Sequence, residues 1–294
     1  MDGMQQLAEQ LLVRPAPASP MPRRVVVKLG TNVIMRADGR VALGLLCGLV
    51  ESVAALREQG IEVLLVSSGA IGLGMERLGL RERPAELPLV QACAATGQSR
   101  LMSLYDDAFA TMGCRIAQVL LTEDDFRDPT RYENLRATLR ALLKLGVIPI
   151  VNENDTVSVM ELDRPAEVGG EAEARVFGDN DKLSALLVKH IDADLLVLLS
   201  DIDGLFDRDP ADEHARLIPE VPEITEAIRA CAHGGNGRGR GGMASKLEAA
   251  RIVTEAGRRV VIANGRTPRL LEQICAGAAV GTVFLPREPE ELSA

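Results

Sequence analysis

Apolar positions along the chain fall into short continuous runs that alternate with longer stretches of helical spacing. Val25-Val26-Val27-Lys28-Leu29 is a β-branched run ended by Gly30-Thr31-Asn32, as expected of a buried strand feeding a tight turn. Val41 to Gln59 has helical spacing and stops at Gly60. Ile61 to Val66 predicts a second buried strand, broken by Ser67-Ser68-Gly69-Ala70, with helices at Ile71 to Leu78 and Val90 to Thr111. A strand at Arg115 to Leu121, a helix at Thr130 to Leu145 and a strand at Val147 to Val151 follow, and Pro149 is awkward for a central strand.

Beyond a polar, glycine-containing segment at Glu161 to Val176, read as an exposed loop or loose hairpin, the pattern resumes. Leu183 to Val188 is helical and Leu195 to Leu199 a strand. Glu223 to Ala232 and Ala244 to Ala256 are helices, Arg259 to Ala263 a strand, Pro268 to Ala276 a helix and Val280 to Leu285 a last strand. Strand and helix alternate almost throughout. That order predicts an α/β protein with a mainly parallel sheet covered by helices on both faces, whose ligands bind at the carboxyl ends of the strands.

The first 22 residues, with Pro15, Pro17, Pro20 and Pro22, read as a partly disordered extension without the basic start or cleavage site of a signal peptide. Residues 23–287 form the expected ordered domain and 288–294 a tail. The net charge of -9, with two tyrosines, five phenylalanines and no tryptophan, argues against nucleic acid as a partner. No apolar run approaches the roughly 18 residues of a membrane span. Five dispersed cysteines without a CxxC read as reduced, mostly buried thiols of a cytoplasmic protein, and the three scattered histidines as structural or surface residues.

Candidate chemistry sits where strands end. Gly178-Asp179-Asn180-Asp181-Lys182 opens a helix with two carboxylates in one turn. One such residue is an ordinary N-cap, whereas the second costs like-charge repulsion unless a lysine or a metal-bound phosphate lies opposite. Lys28, inside an apolar strand, calls for an anionic partner unless it snorkels out at the strand end. Ser68-Gly69-Ala70 presents amide protons at a helix start. Gly234 to Gly242 holds six glycines in nine residues and runs into Met243-Ala244-Ser245-Lys246, which suits a loop closing over phosphates. It lacks the Walker A pattern, and no strand carries GxGxxG. Asp201 to Asp209 fails as a calcium loop, because Gly204 stands at the wrong offset and Leu205 at a ligand position.

Taken together, two distant lysines, a carboxylate turn and several glycine turns suit phosphoryl transfer by positioning and charge neutralisation. Val27 to Thr31, Ser67 to Ala70, Gln91 to Gln98, Asn152 to Asp155, Gly178 to Asp181 and Gly241 to Lys246 occur in this order, and the set resembles the glutamate 5-kinases of the amino acid kinase superfamily. The resemblance implies a three-layer αβα sandwich and transfer of the γ-phosphoryl of ATP to the side-chain carboxylate of L-glutamate, the first step of proline synthesis. By position it implies that Lys28 and Lys246 hold the transferring group and that Asp181 orients both. Ser68, Gly69, Asn152, Asp155 and Asn180 would bind glutamate. Gly30, Ser200, Asp201, Arg240, Gly241, Gly242, Met243, Ala244 and Ser245 would join the two lysines around the nucleotide. Magnesium would be held by the ATP phosphates and water, and a homodimer or tetramer is implied.

The chain departs from that pattern in three ways: it ends soon after its last strand, without the PUA domain many members carry; residues 156–177 are long beside the expected glutamate and proline site; and Arg240 replaces an expected threonine. The competing readings are a kinase for another carboxylate, such as aspartate or N-acetylglutamate, and a non-catalytic amino-acid or nucleotide sensor of the same fold.

Overall fold

A computed structural model describes residues 21–36, 38–157, 180–234 and 242–287. In chain order the elements are β1 (Arg24–Leu29), α1 (Thr31–Ile34), α2 (Leu43–Glu58), β2 (Glu62–Ser67), α3 (Ala70–Leu78) and α4 (Leu87–Thr111). They continue with β3 (Arg115–Leu121), α5 (Asp124–Arg127), α6 (Pro129–Lys144), β4 (Val147–Glu153), α7 (Asn180–His190) and β5 (Leu195–Ser200). The last are β6 (Glu220–Val221), α8 (Glu226–Ala230), a 3₁₀ turn (Cys231–Gly234), α9 (Met243–Glu255), β7 (Arg259–Asn264), α10 (Leu270–Cys275) and β8 (Thr282–Phe284). The expected loop at 161–176, the glycine-rich stretch at 235–241 and the residues Gly178, Asp179, Arg240 and Gly241 lie outside the described residues.

The strands form one eight-stranded sheet in the order β3-β4-β2-β1-β5-β7-β8-β6, parallel at every pair except β7 with β8. Side-chain alternation along β1 sorts the layers, because successive residues of a strand face opposite sides. Val25, Val27 and Leu29 join a core with Leu46, Val50 and Val53 of α2, Leu73 of α3, and Leu101 and Tyr105 of α4. Val26 belongs to the opposite core, with Leu139 of α6, Leu183 and Leu187 of α7, and Leu247 and Val253 of α9. Lys28 therefore faces the α7 side. At roughly 1.5–3 kcal/mol for each fully buried aliphatic side chain, these two layers are the main stabilising term.

Register brings the strand ends to one edge. Leu29 pairs with Ser67 on one side and Leu199 on the other, and Val66 pairs with Val151, so Gly30, Ser68, Asn152 and Ser200 all emerge together. Pro149 stands opposite Ala117 of β3 but ahead of the first rung of the β2–β4 ladder, which holds only Leu65↔Ile150 and Val66↔Val151.

Several expected boundaries move. The last helix begins at Leu270, not Pro268, because Arg269 takes a left-handed φ of 53° that no helix admits. The helix expected over Glu223 to Ala232 is α8 followed by the 3₁₀ turn, started where the Thr225 hydroxyl accepts from Ile228 N. The final strand shortens to Thr282–Phe284, and the two-residue β6 was not predicted. The thiols are all free, but only Cys93 and Cys275 are buried; Cys47 lies exposed on the outer face of α2, which corrects the expectation of mostly buried cysteines.

Helices α3 and α4 meet backbone to backbone. A Cβ on Gly74 would stand 1.8 Å from the Cys93 carbonyl oxygen, and one on Gly97 would stand 1.7 Å from that of Ala70. Only hydrogen fits at either position.

Candidate active site

The β-branched run of β1 carries Lys28 into the α7 layer, and α7 answers it with Asp181 in its first turn. Lys28 Nζ lies 2.5 Å from Asp181 Oδ1, and Lys246 Nζ, from the first turn of α9, donates to Asp181 Oδ2 at 3.1 Å. The Asp181 side chain is 0% exposed and each lysine side chain 5%. One carboxylate thus sits between two ammonium groups, and the trio carries net positive charge at the carboxyl edge of a parallel sheet. A buried ion pair is costly unless well paired, and here the surplus charge favours an anion arriving from outside. Ser184 Oγ donates to the Asp181 carbonyl at 2.6 Å and steadies the α7 start.

A second set of polar groups lies beside the first. Ser67, at the end of β2, faces the α4 layer, where its hydroxyl is 2.8 Å from the Tyr105 hydroxyl. Burial pushes the Tyr105 phenol up to about 12, partly offset by its bond to Ser67. Gly69 follows at φ 99°, a left-handed conformation that only glycine adopts cheaply, and the turn it makes places Ser68 over the sheet edge. Asn180, the first residue of α7, donates from Nδ2 to Ser68 Oγ (2.9 Å), Asn152 Oδ1 (3.0 Å) and the Ser67 carbonyl (3.2 Å). Asn152 Nδ2 donates in turn to Gln98 Oε1 at 2.9 Å. Asp155 sits on the turn that follows β4, three residues beyond Asn152.

A third set faces the same edge from β5. Gly30 N donates to the Leu199 carbonyl, and a Cβ on Gly30 would come within 3.3 Å of that oxygen, so the β1 turn lies close on β5. Ser200 Oγ donates to Asp201 Oδ1 (3.3 Å), while Asn32 Nδ2 donates to Asp201 Oδ2 (2.9 Å). Gly242 precedes α9 without a side-chain cap, and Met243, Ala244 and Ser245 stand ahead of Lys246 in that helix's first turn. An uncapped helix start of this kind offers free amide protons to an anion.

Of the residues expected at the site, the structure brings Ser68, Asn152 and Asn180 into one hydrogen-bonded group and Lys28, Asp181 and Lys246 into another, adjacent through consecutive residues of α7. Gly30, Ser200 and Asp201 border them. Gln98, Tyr105, Ser67 and Asn32 were not assigned a part. Gln98 carried a usable signal, since it is a polar residue on the apolar stripe Ala94, Leu101, Tyr105 of α4. His190 stays outside. His190 packs against Tyr132 and Phe126 on the α6–α7 side, where burial, with Lys189 and Arg136 nearby, lowers its pKa to about 4.

Sequence and structural likenesses agree with this geometry. Residues 23–264 match the Amino acid kinase family. Carbamate kinase from Giardia lamblia, solved bound to AMP-PNP, superposes with a TM-score of 0.62 at 16% identity, covering 90% of this chain and 98% of that one. UMP kinase from Bacillus anthracis gives 0.59 at 15%, covering 92% and 98%. The sheet and its edge thus define an amino acid kinase fold. Among curated relatives, glutamate 5-kinase from Gloeobacter violaceus is 48% identical over 267 residues (90% of this chain, 69% of the relative), and that from Lactiplantibacillus plantarum is 44% identical over 264 residues (89% and 96%). The chain belongs to the glutamate 5-kinase family.

Proposed function

We infer that the protein transfers the γ-phosphoryl group of ATP to the side-chain carboxylate of L-glutamate, giving L-glutamyl 5-phosphate. The observation that carries this reading is the buried Lys28–Asp181–Lys246 trio at the carboxyl edge of the sheet. The glutamate carboxylate, ionised near pH 7, is itself the nucleophile. Its oxygen forms a bond to the γ-phosphorus as the bond from that phosphorus to the bridging oxygen of ADP breaks. No proton moves, so no general base is needed.

Lys28 and Lys246 hold the oxygens of the group in flight, and Asp181 keeps both ammonium groups aimed at it. Ser68, Gly69, Asn152, Asp155 and Asn180 hold glutamate. Gly30, Ser200 and Asp201, with the segment from Arg240 through Gly241, Gly242, Met243, Ala244 and Ser245 to Lys246, hold the nucleotide. Magnesium fits as an ion carried on the ATP phosphates, since the groups gathered at this edge include the ammonium groups of Lys28 and Lys246 and the amide and hydroxyl groups of Asn152, Asn180 and Ser68. Bound there, it supplies neutralisation of phosphate charge.

A cytoplasmic setting is part of the reading, and no described helix is long and apolar enough to cross a membrane. So are inhibition by proline at the glutamate site and assembly into a dimer or tetramer. Leu78, Leu80 and Leu89 are 49%, 38% and 48% exposed around the α3–α4 connection and support such an interface.

Hydroxamate trapping tests the proposal: protein, MgATP and hydroxylamine with L-glutamate, L-aspartate or N-acetyl-L-glutamate, each with and without proline. Acyl phosphates alone give colour. The expected result is a signal dependent on L-glutamate and reduced by proline. Absence of signal with every acid, in folded protein that binds ATP, would overturn this reading in favour of the sensor.

A further inference from the structure

Three amide side chains run from one helical layer to the other across the carboxyl edge of the sheet. Gln98 comes from α4, Asn152 from β4 and Asn180 from the start of α7. In each amide, nitrogen and oxygen have nearly the same shape, so which end faces which neighbour must be settled by partners that can play only one part. Two such partners are present. The backbone N–H of Glu153 can only donate, and it donates to Asn152 Oδ1 at 2.9 Å. The Ser67 carbonyl can only accept, and it receives Asn180 Nδ2 at 3.2 Å.

The rest follows from these two. Asn152 Oδ1 also receives Asn180 Nδ2 at 3.0 Å, so the nitrogen of Asn152 must point the other way, to Gln98 Oε1 at 2.9 Å. Asn180, with its nitrogen committed to Ser67, Ser68 and Asn152, is left with Oδ1 buried and without a partner among the described residues. An unpartnered buried acceptor is costly, by roughly 1–3 kcal/mol. It gains most from a donor that is charged, since hydrogen bonds to ionised groups are the stronger kind.

We propose that Gln98 is a positioning residue for substrate specificity: its Oε1 fixes the amide polarity of Asn152 and Asn180, so that Asn180 Oδ1 is presented as an acceptor to the α-ammonium group of the amino-acid substrate. Gln98 is itself 8% exposed and has no part in the phosphate-binding trio. Its own Nε2 is buried without a partner among the described residues, so the oxygen is the end that matters. If Asn152 turned over, its nitrogen would face the nitrogen of Asn180 and the N–H of Glu153, three donors without an acceptor between them. Gln98 blocks that state by rewarding the other.

This inference rests on the carboxylate-kinase reading above, and glutarate separates the two, because it has both carboxylates of glutamate and no ammonium group. In the hydroxamate assay, Gln98→Met, which keeps the length of the side chain and removes the acceptor oxygen, is expected to raise KM for L-glutamate about tenfold, the size of one lost hydrogen bond. KM for ATP and for glutarate stays unchanged, so the preference for glutamate over glutarate shrinks by the same factor. Gln98→Glu keeps an oxygen facing Asn152 Nδ2 and restores the preference. An unchanged preference in Gln98→Met, or a collapsed one in Gln98→Glu, overturns the role of Gln98. If Gln98→Met does not fold, Gln98→Glu decides alone by the same criterion. Absence of hydroxamate from any acid with the unaltered protein overturns the kinase reading itself.

Discussion

Lys28 and Asp181 stand 2.5 Å apart in the interior, one at the end of the first strand and the other in the first turn of α7. Strand β1 cannot bury that ammonium without the carboxylate, and α7 cannot bury the carboxylate without an ammonium. Lys246 shares the same carboxylate from a third element. Removing either lysine as Lys28→Met or Lys246→Met leaves Asp181 paired with the other, so the fold should persist while turnover falls roughly 10²- to 10³-fold. Hydroxamate kinetics beside circular dichroism check both halves, and turnover within threefold of the unaltered protein would refute the assigned roles.

Asp181→Asn has the opposite balance. Two buried ammonium groups then lose the carboxylate they share, a loss of about 3 kcal/mol or more. The midpoint of urea unfolding should fall accordingly, and further than in either lysine variant. Equal midpoints across the three would mean that Asp181 does not hold the lysines together.

Glycines divide into two kinds by what surrounds them. Gly74→Ala and Gly97→Ala force a methyl into a carbonyl oxygen across the α3–α4 contact and should destabilise by about 1–3 kcal/mol or more. Gly48, within α2, has nothing within 4 Å of its would-be Cβ, so Gly48→Ala should stabilise by about 0.5–1 kcal/mol. Denaturant midpoints that moved the same way for all three would contradict the packing described.

His190 gives a pH signature away from the site. Burial, then the charges of Lys189 and Arg136, hold its pKa at about 4, below the ordinary value of 6.5. The unfolded chain therefore takes up this proton first as pH falls. Stability from this residue is fully present above 6.5 and drains away as pH drops toward 4. Melting temperatures between pH 7 and 4 should decline less steeply in His190→Gln, and parallel slopes would show that the imidazole does not contribute.

Tyr105 acts at the other extreme. Its phenol, raised to about 12 from 10, stays neutral where an unfolded tyrosine ionises, so its contribution is intact below pH 10 and lost as pH rises through 12. Tyr105→Phe removes the bond to Ser67 and is expected to cost about 1 kcal/mol and to raise KM for glutamate while leaving that for ATP unchanged. A change confined to ATP would place the effect elsewhere.

What the sequence disclosed and what it withheld divide along physical lines. Lys28 was visible as one charge in an apolar run, because a strand's burial can be read locally. Its partner was not identifiable from periodicity, since contact between β1 and α7 depends on which strands neighbour each other. Asn152, Asn180 and Ser68 were legible as polar residues at strand and helix ends. Gln98 stood in plain sight on an apolar stripe, yet its role depends on the orientation of two other amides. Arg269 shows the limit for boundaries: nothing in its identity announces a left-handed backbone, and the helix start shifted with it. The two-residue β6 is too short to leave any periodic trace.

The alternation along β1 carries one more consequence. A slip of one residue would send Lys28 into the α2–α4 core and turn Val27 toward Asp181, stranding an ammonium and a carboxylate in apolar surroundings at once. The lysine therefore proofreads the register of the strand that carries it. Chains that complete the sheet have, by the same act, assembled the charged trio, so a preparation should not accumulate a well-folded but misregistered fraction that lacks it.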